Sequence, residues 1–211
     1  MKRKKKGNHE WLSGKLGNVI GSDWKGIDYI KSAPGPNESA TPAQLATRLK
    51  FGIACRLMLP VKELLQVSFR NGKIKMSEFN SAISYTIKNA LCGEYPNYYV
   101  DYSQLLLSRG DMPGVKNPSV AVDGKENIRF TWTNNSGTGK AKASDRVILA
   151  AYCEELLCCA YTIGSASRGD GSATLRAPGL SGRNVHAYIG FVTKDGKDIA
   201  SSVYTGELVM M

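Results

Sequence analysis

The sequence predicts an α+β chain, with an N-terminal β-hairpin and helical module followed by an immunoglobulin/fibronectin III-like antiparallel β-sandwich. Three observations predict it. Glycines punctuate short apolar pairs over residues 14–30, apolar residues recur every four positions between Leu45 and Leu91, and from Pro118 onward the period falls to two.

The stretch from Gly14 to Ile30 reads as a twisted hairpin. Val19 and Ile20 lie in one strand, Gly21 to Gly26 make the turn, and Ile27, Tyr29 and Ile30 lie in the other. Its glycines lack the Gly-Lys-Ser/Thr ending of a phosphate loop and the G-x-G-x-x-G of a dinucleotide fold, so they are read as backbone devices. Residues 32–40 are a linker by composition. Thr41-Pro42-Ala43-Gln44 then supplies a helix N-cap, a first-turn proline and the glutamine of a capping box. Leu45, Leu49, Ile53 and Leu57 follow as one apolar stripe. Pro60 should kink or end that helix before a second stretch at 61–69, which carries Leu64, Leu65 and Phe69. A further helix is expected over 76–91, capped by Ser77, striped by Phe79, Ile83, Ile87 and Leu91, and stopped at Gly93. Each stripe alone would leave apolar area in water, so the helices are expected to pack on each other and on the hairpin.

Tyr95, Tyr98, Tyr99 and Tyr102 crowd the next segment and read as half-buried strand residues with wet hydroxyls. Tyr98 and Tyr99, with Trp24 and Tyr29, are the candidate partner-binding residues. Beyond Pro118, alternation marks six or seven short strands, at Val120/Val122, Ile128/Phe130/Trp132, Val147/Leu149/Ala151, Ala173/Leu175, Val185 to Phe191 and Ser202 to Leu208. Turn signals separate them, among them Asp123-Gly124 and Asp195-Gly196, and Trp132 suits the large residue such sandwiches bury. The expected organisation is a flexible basic tip at 1–13, a hairpin and helical module at 14–114, and a sandwich at 115–211.

Charge is uneven along the chain. Residues 1–75 hold 15 Lys/Arg against 5 Asp/Glu, and the remainder holds 13 of each, so the whole net charge of +10 lies in the first third. Lys2, Arg3, Lys4, Lys5 and Lys6 are therefore the candidate polyanion-binding residues, with nucleic acid as the partner they imply. No apolar run follows this tip, so it is not a secretory signal, and no stretch reaches the roughly 18 apolar residues of a membrane span. Five scattered cysteines suit reduced thiols and, with the missing signal, an expected cytoplasmic location.

No catalytic constellation, metal set, cofactor motif or small-molecule substrate is implied. His186 is opposite in phase to Val185 and Ile189 and is expected to point outward from the sandwich. Cys153, Cys158 and Cys159 lack C-x-x-C spacing, and neighbours Cys158 and Cys159 face opposite ways, so at most one joins Cys153. Glu154 and Glu155 fall at an expected turn. Arg-Gly-Asp occurs at Arg109 to Asp111 and at Arg168 to Asp170, and both are read as turns.

Five stretches carry a resemblance to a known family: Gly14 to Lys31, Thr41 to Phe51, Phe79 to Tyr85, Leu105 to Gly110 and His186 to Phe191. On them the chain resembles an uncharacterised bacterial family, domain-of-unknown-function family 6266, typical of Bacteroidota. The resemblance implies no activity. The order of hairpin, linker and Thr-Pro-Ala-Gln helix is also similar to small phage structural modules, although the linker here carries Glu38 where theirs is basic. The expected function is a non-enzymatic structural, assembly or protein-interaction role, of prophage or virion-associated origin, with a protein partner or self-association. The alternative is a nucleic-acid-binding accessory protein using the basic N-terminal region.

Overall fold

A computed structural model describes residues 14–24, 27–35, 39–69 and 76–211, with Trp24 described in its backbone alone. The chain forms two compact units, residues 1–42 and 43–211. The basic tip at Lys2 to Lys6 lies outside the described residues.

The first unit contains a three-stranded antiparallel sheet, β1 (Gly14–Leu16), β2 (Val19–Trp24) and β3 (Ile27–Ser32), paired in that order. This differs from a two-stranded hairpin in two ways. A short strand precedes it, joined through Gly17 at a φ of 58°, a value glycine adopts without strain. Gly21 to Trp24 also continue the strand rather than turning, with Gly21 paired to Ile30 and Asp23 to Asp28. Gly21 marked a strand interior, not a bend. Every residue of β3 is exposed.

The second unit begins with α1 (Pro42–Met58), which passes through a 3-10 turn at Leu59–Val61 into α2 (Lys62–Ser68). Pro60 sits at the start of that turn, where its missing amide costs nothing. The third helix, α3 (Glu78–Asn89), is capped by Ser77, whose Oγ accepts from the Asn80 amide at 3.3 Å. It stops earlier than expected. Leu91 opens β4 (Leu91–Glu94), which pairs with β5 (Asn97–Val100), and Gly93 belongs to that hairpin.

Seven strands build the sandwich: β6 (Lys116–Val122), β7 (Asn127–Thr133), β8 (Arg146–Cys153), β9 (Cys158–Ser167), β10 (Ser172–Arg176), β11 (Asn184–Val192) and β12 (Val203–Val209). One sheet has the order β10-β7-β6 and the other β12-β11-β8-β9, all antiparallel. Three strands packed on four in this order make an immunoglobulin/fibronectin III-like sandwich. Strand β9 is an addition to the six stretches read from the sequence. Alternate residues of β7, β8 and β11, among them Phe130, Trp132, Leu149, Ile189 and Phe191, fill the core between the sheets, and Trp132 meets Phe191 edge-on at 5.8 Å.

A second core forms on the other face of the four-stranded sheet. Leu57, Met58, Val61, Leu64, Leu65 and Phe69 from the helices cover Ile148, Ala150, Tyr152, Tyr188 and Val192. Each of the buried Val, Leu, Ile, Met and Phe side chains contributes on the order of 1.5–3 kcal/mol. The expected boundary between 114 and 115 therefore does not separate two cores. Residues just before it are stitched to both sides. Ser68 Oγ donates to the Leu107 carbonyl at 2.6 Å, the Leu107 amide donates to Ser202 Oγ at 2.9 Å, and Ser108 Oγ donates to the Ala200 carbonyl at 2.8 Å. A Cβ on Gly110 would collide with the Ile199 carbonyl, so this first Arg-Gly-Asp is extended chain bridged at Asp111 to Ala200, not a turn.

Candidate interaction surface

Helix α1 is only partly used by the core. Its first turns leave Leu45 and Leu49 41% and 37% exposed, so the expected stripe is buried only from Ala54 onward, where Leu57 and Met58 reach the sheet. On another side of α1, Phe51 is 52% exposed. Across from it α3 places Ile83 and Ile87 one turn apart on one face. Phe51, Met76, Ile83 and Ile87 line a cavity of about 350 Å³ between the two helices, with Asn80, Ser84 and Lys88 supplying polar edges. Ile83 also belongs to the core and makes a fixed floor. Among the lining residues Lys88 alone is charged.

The sequence-selected aromatics are distributed rather than gathered. Tyr29 is exposed on β3 of the first unit, and Trp24 pairs in register with Ile27 there. Tyr98 and Tyr99 lie on β5 of the second unit and alternate in direction. Tyr98 is half-buried under the Lys50 ammonium, 4.9 Å from its ring centroid, while Tyr99 is 64% exposed. The groove residues were not selected from the sequence. Phe51 carried a usable signal, being a large apolar residue outside the stripe of its own helix.

His186 does face away from the inter-sheet core, but not into water. Its ring stacks on Tyr102 with centroids 3.8 Å apart and planes 7° from parallel, and Nδ1 lies 3.2 Å from Tyr204 Oη. Tyr102 belongs to a 3-10 turn, Tyr102–Gln104, that crosses this face, and Tyr188 Oη donates to its carbonyl at 2.8 Å. Outward phase on a strand predicts solvent only when nothing covers the sheet. Burial lowers the His186 pKa, against the pull of Glu207 and Glu154, and the same burial raises those of Tyr102, Tyr152 and Tyr188. Cys159 sits on the same face as His186. Yet Tyr152 of β8 is the register partner of both, so two strand spacings, about 10 Å, separate their backbones. Burial also raises the Cys159 thiol, which stays protonated at neutral pH. This row presents neutral hydrogen-bonding groups without a thiolate–imidazole pair.

The second Arg-Gly-Asp forms a 3-10 turn, Arg168–Asp170, in which Arg168 is wholly buried. Its guanidinium lies 3.1 Å from Asp145 Oδ2, donates to Asn135 Oδ1 and to the Pro113 and Gly114 carbonyls, and stacks 3.9 Å above the Phe191 ring. The Arg168 carbonyl in turn accepts from Trp132 Nε1 at 2.9 Å. This is a structural knot at the end of the inner core. Among the described residues no three His, Cys, Asp or Glu side chains are gathered for a metal ion, and no helix is long and apolar enough to cross a membrane.

Comparison with known proteins adds three findings. Residues 10–206 match the profile of a family of unknown function, DUF6266. No curated protein matches. Among solved structures, the chicken CNTN1 FN1–FN3 domains align with a TM-score of 0.37 at 11% identity, over 49% of this chain and 33% of that one, so the match spans about a third of that chain. The fn3 domain of human collagen alpha-1(XX) aligns at 0.35 and 13%, over 49% of this chain and 93% of that one. The fn3 domain of human contactin 1 aligns at 0.35 and 10%, over 57% and 93%.

Proposed function

The chain belongs to the DUF6266 family of unknown function, and we propose that it is a non-enzymatic interaction or assembly protein whose partner lays an acidic amphipathic helix into the groove between α1 and α3. The observation that carries this is the half-open apolar groove itself, with Phe51 and Met76 52% and 46% exposed above a floor fixed in the core. Apolar side chains grouped in this way, rimmed by polar ones, suit helix-in-groove recognition. The Lys88 ammonium at the edge of the groove selects an acidic residue in the partner. The finer version of this reading places the protein in the cytoplasm, within a prophage- or virion-derived assembly.

A photo-cross-linking phenylalanine analogue in place of Phe51, introduced in the native host, tests it. A single cross-linked segment is expected, acidic and amphipathic. A synthetic peptide of that segment should bind the wild-type protein and lose at least tenfold in affinity on Phe51→Asp. Scattered cross-links, or a peptide indifferent to Phe51→Asp, would overturn the reading.

The charge asymmetry supports a second reading, nucleic-acid binding through Lys2 to Lys6. Binding to duplex DNA or RNA should then weaken steeply with salt and vanish when residues 2–6 are removed. Absence of binding at low salt would dispose of it.

A further inference from the structure

We propose that Cys153 and Cys158 form a redox-closable clasp, a dithiol that a small-molecule disulfide oxidises to an intramolecular disulfide across the end of the β8–β9 hairpin. The two residues are direct register partners in the antiparallel pair, at the last rung before the turn that carries Glu154 to Leu157. Directly opposed residues in such a pair have Cα atoms about 4.5–5.5 Å apart, within the range of about 4.4–6.8 Å that a disulfide spans. Both side chains point into the core between the sheets, Cys153 within it and Cys158 packed against it. The Cys153 thiol is close enough to add, after burial, to the upward shift of the Cys158 pKa. The remaining thiols are placed elsewhere. Cys159 faces the opposite side of the sheet, Cys55 lies on α1 beside that same outer core, and Cys92 lies on β4.

The two thiols are unequal in access, and that sets the order of events. Cys153 is fully buried and Cys158 partly so. Cys158 loses its proton and attacks one sulfur of oxidised glutathione, forming a mixed disulfide and expelling one glutathione thiolate. Cys153 then loses its proton and attacks Cys158 Sγ, and the second glutathione thiolate leaves. Two protein thiols are oxidised, one glutathione disulfide is reduced to two glutathiones, and the two protons pass to the released thiolates. Burial raises the Cys158 pKa, so closure should be slow at neutral pH and faster in mild alkali.

The folded, full-length protein is incubated with oxidised glutathione at mildly alkaline pH, and free thiols are alkylated in denaturant. Glu154 and Glu155 lie between the two cysteines, so a glutamyl endopeptidase cuts between them and only a disulfide holds the fragments together. The expected result is loss of two of the five free thiols, a Cys153–Cys158 cross-link that dithiothreitol reverses, and a thermal midpoint raised by a few degrees. Cys159→Ala should keep the cross-link and Cys158→Ser should abolish it, which separates the adjacent candidates. A mixed disulfide that persists at Cys158 would overturn the proposal. So would a bond to Cys55, Cys92 or Cys159, an intermolecular bond, or a link formed only in denaturant.

Discussion

The two faces of the four-stranded sheet are buried by different means. The inner face meets another sheet, and apart from Cys153 and Cys158 its residues are aliphatic or aromatic, with one buried ion pair, Arg168 with Asp145, closing the end. The outer face meets helices and the Tyr102–Gln104 turn, and its layer mixes Ile148 and Val192 with Tyr152, His186 and Tyr188. A sheet covered by another sheet presents matched alternation on both partners. A sheet covered by helices and a turn leaves gaps beside backbone carbonyls, and amphipathic side chains fill these while keeping a polar tip paired.

The largest effect should come from breaking the inner face at its ion pair. Arg168→Ala leaves the Asp145 carboxylate buried without its partner, a loss of about 3–5 kcal/mol. Urea unfolding measures it, and a loss under about 1 kcal/mol would show that the knot does not hold the inner core closed. On the outer face, Leu65→Ala should cost about 2–5 kcal/mol. Its more telling readout is cooperativity. In a chain whose Trp11 and Trp24 are replaced by Phe, helical circular dichroism and Trp132 fluorescence should shift together. Helices that melt first, with the Trp132 transition unmoved, would mean that the two faces belong to separate units after all.

The same comparison shows what the sequence disclosed. Strand β7, with buried and exposed residues alternating from Ile128 to Thr133, was readable because one of its faces meets water. Strand β8 was read by the same rule, yet Val147 to Cys153 contains no charged residue at all, and all seven are buried. A continuous apolar run is the signal of a strand covered on both faces, though it does not say that helices supply the cover. The exposure expected for His186 failed for that reason. Arg168 had no local signal, because its partners come from residues 113, 114, 135 and 145, which only the folded chain brings together. The groove was half legible. Ile83 and Ile87 stood in a recognised stripe, but the stripe does not show that its edge is left open toward Phe51.

A third effect is specific to the outer face and depends on pH. Burial holds the folded His186 below its ordinary value of 6.5. The unfolded chain therefore binds the proton more readily, so the stability contributed by the neutral ring is complete above that value and declines as pH falls through it. Unfolding midpoints measured from pH 8 to pH 5 should fall, and His186→Gln should flatten that part of the profile. An unchanged slope in the variant would mean that the acid sensitivity arises elsewhere.

The smallest effect sharpens the comparison most, because it sets two tyrosines of one layer against each other. Tyr188 Oη donates to the Tyr102 carbonyl at 2.8 Å, whereas Tyr152 Oη is buried with no hydrogen-bond partner among the described residues. Removing a hydroxyl that makes a bond costs about 1 kcal/mol, while removing one that makes none relieves a buried polar group of its desolvation. Tyr188→Phe should therefore lose about 1 kcal/mol. Tyr152→Phe should match or exceed the parent. Guanidinium titrations of the two variants side by side decide it. Equal losses would mean that the outer layer tolerates its polar tips by packing alone, and that the Tyr102–Gln104 turn is held over the sheet by its ring stack with His186 rather than by the Tyr188 hydrogen bond.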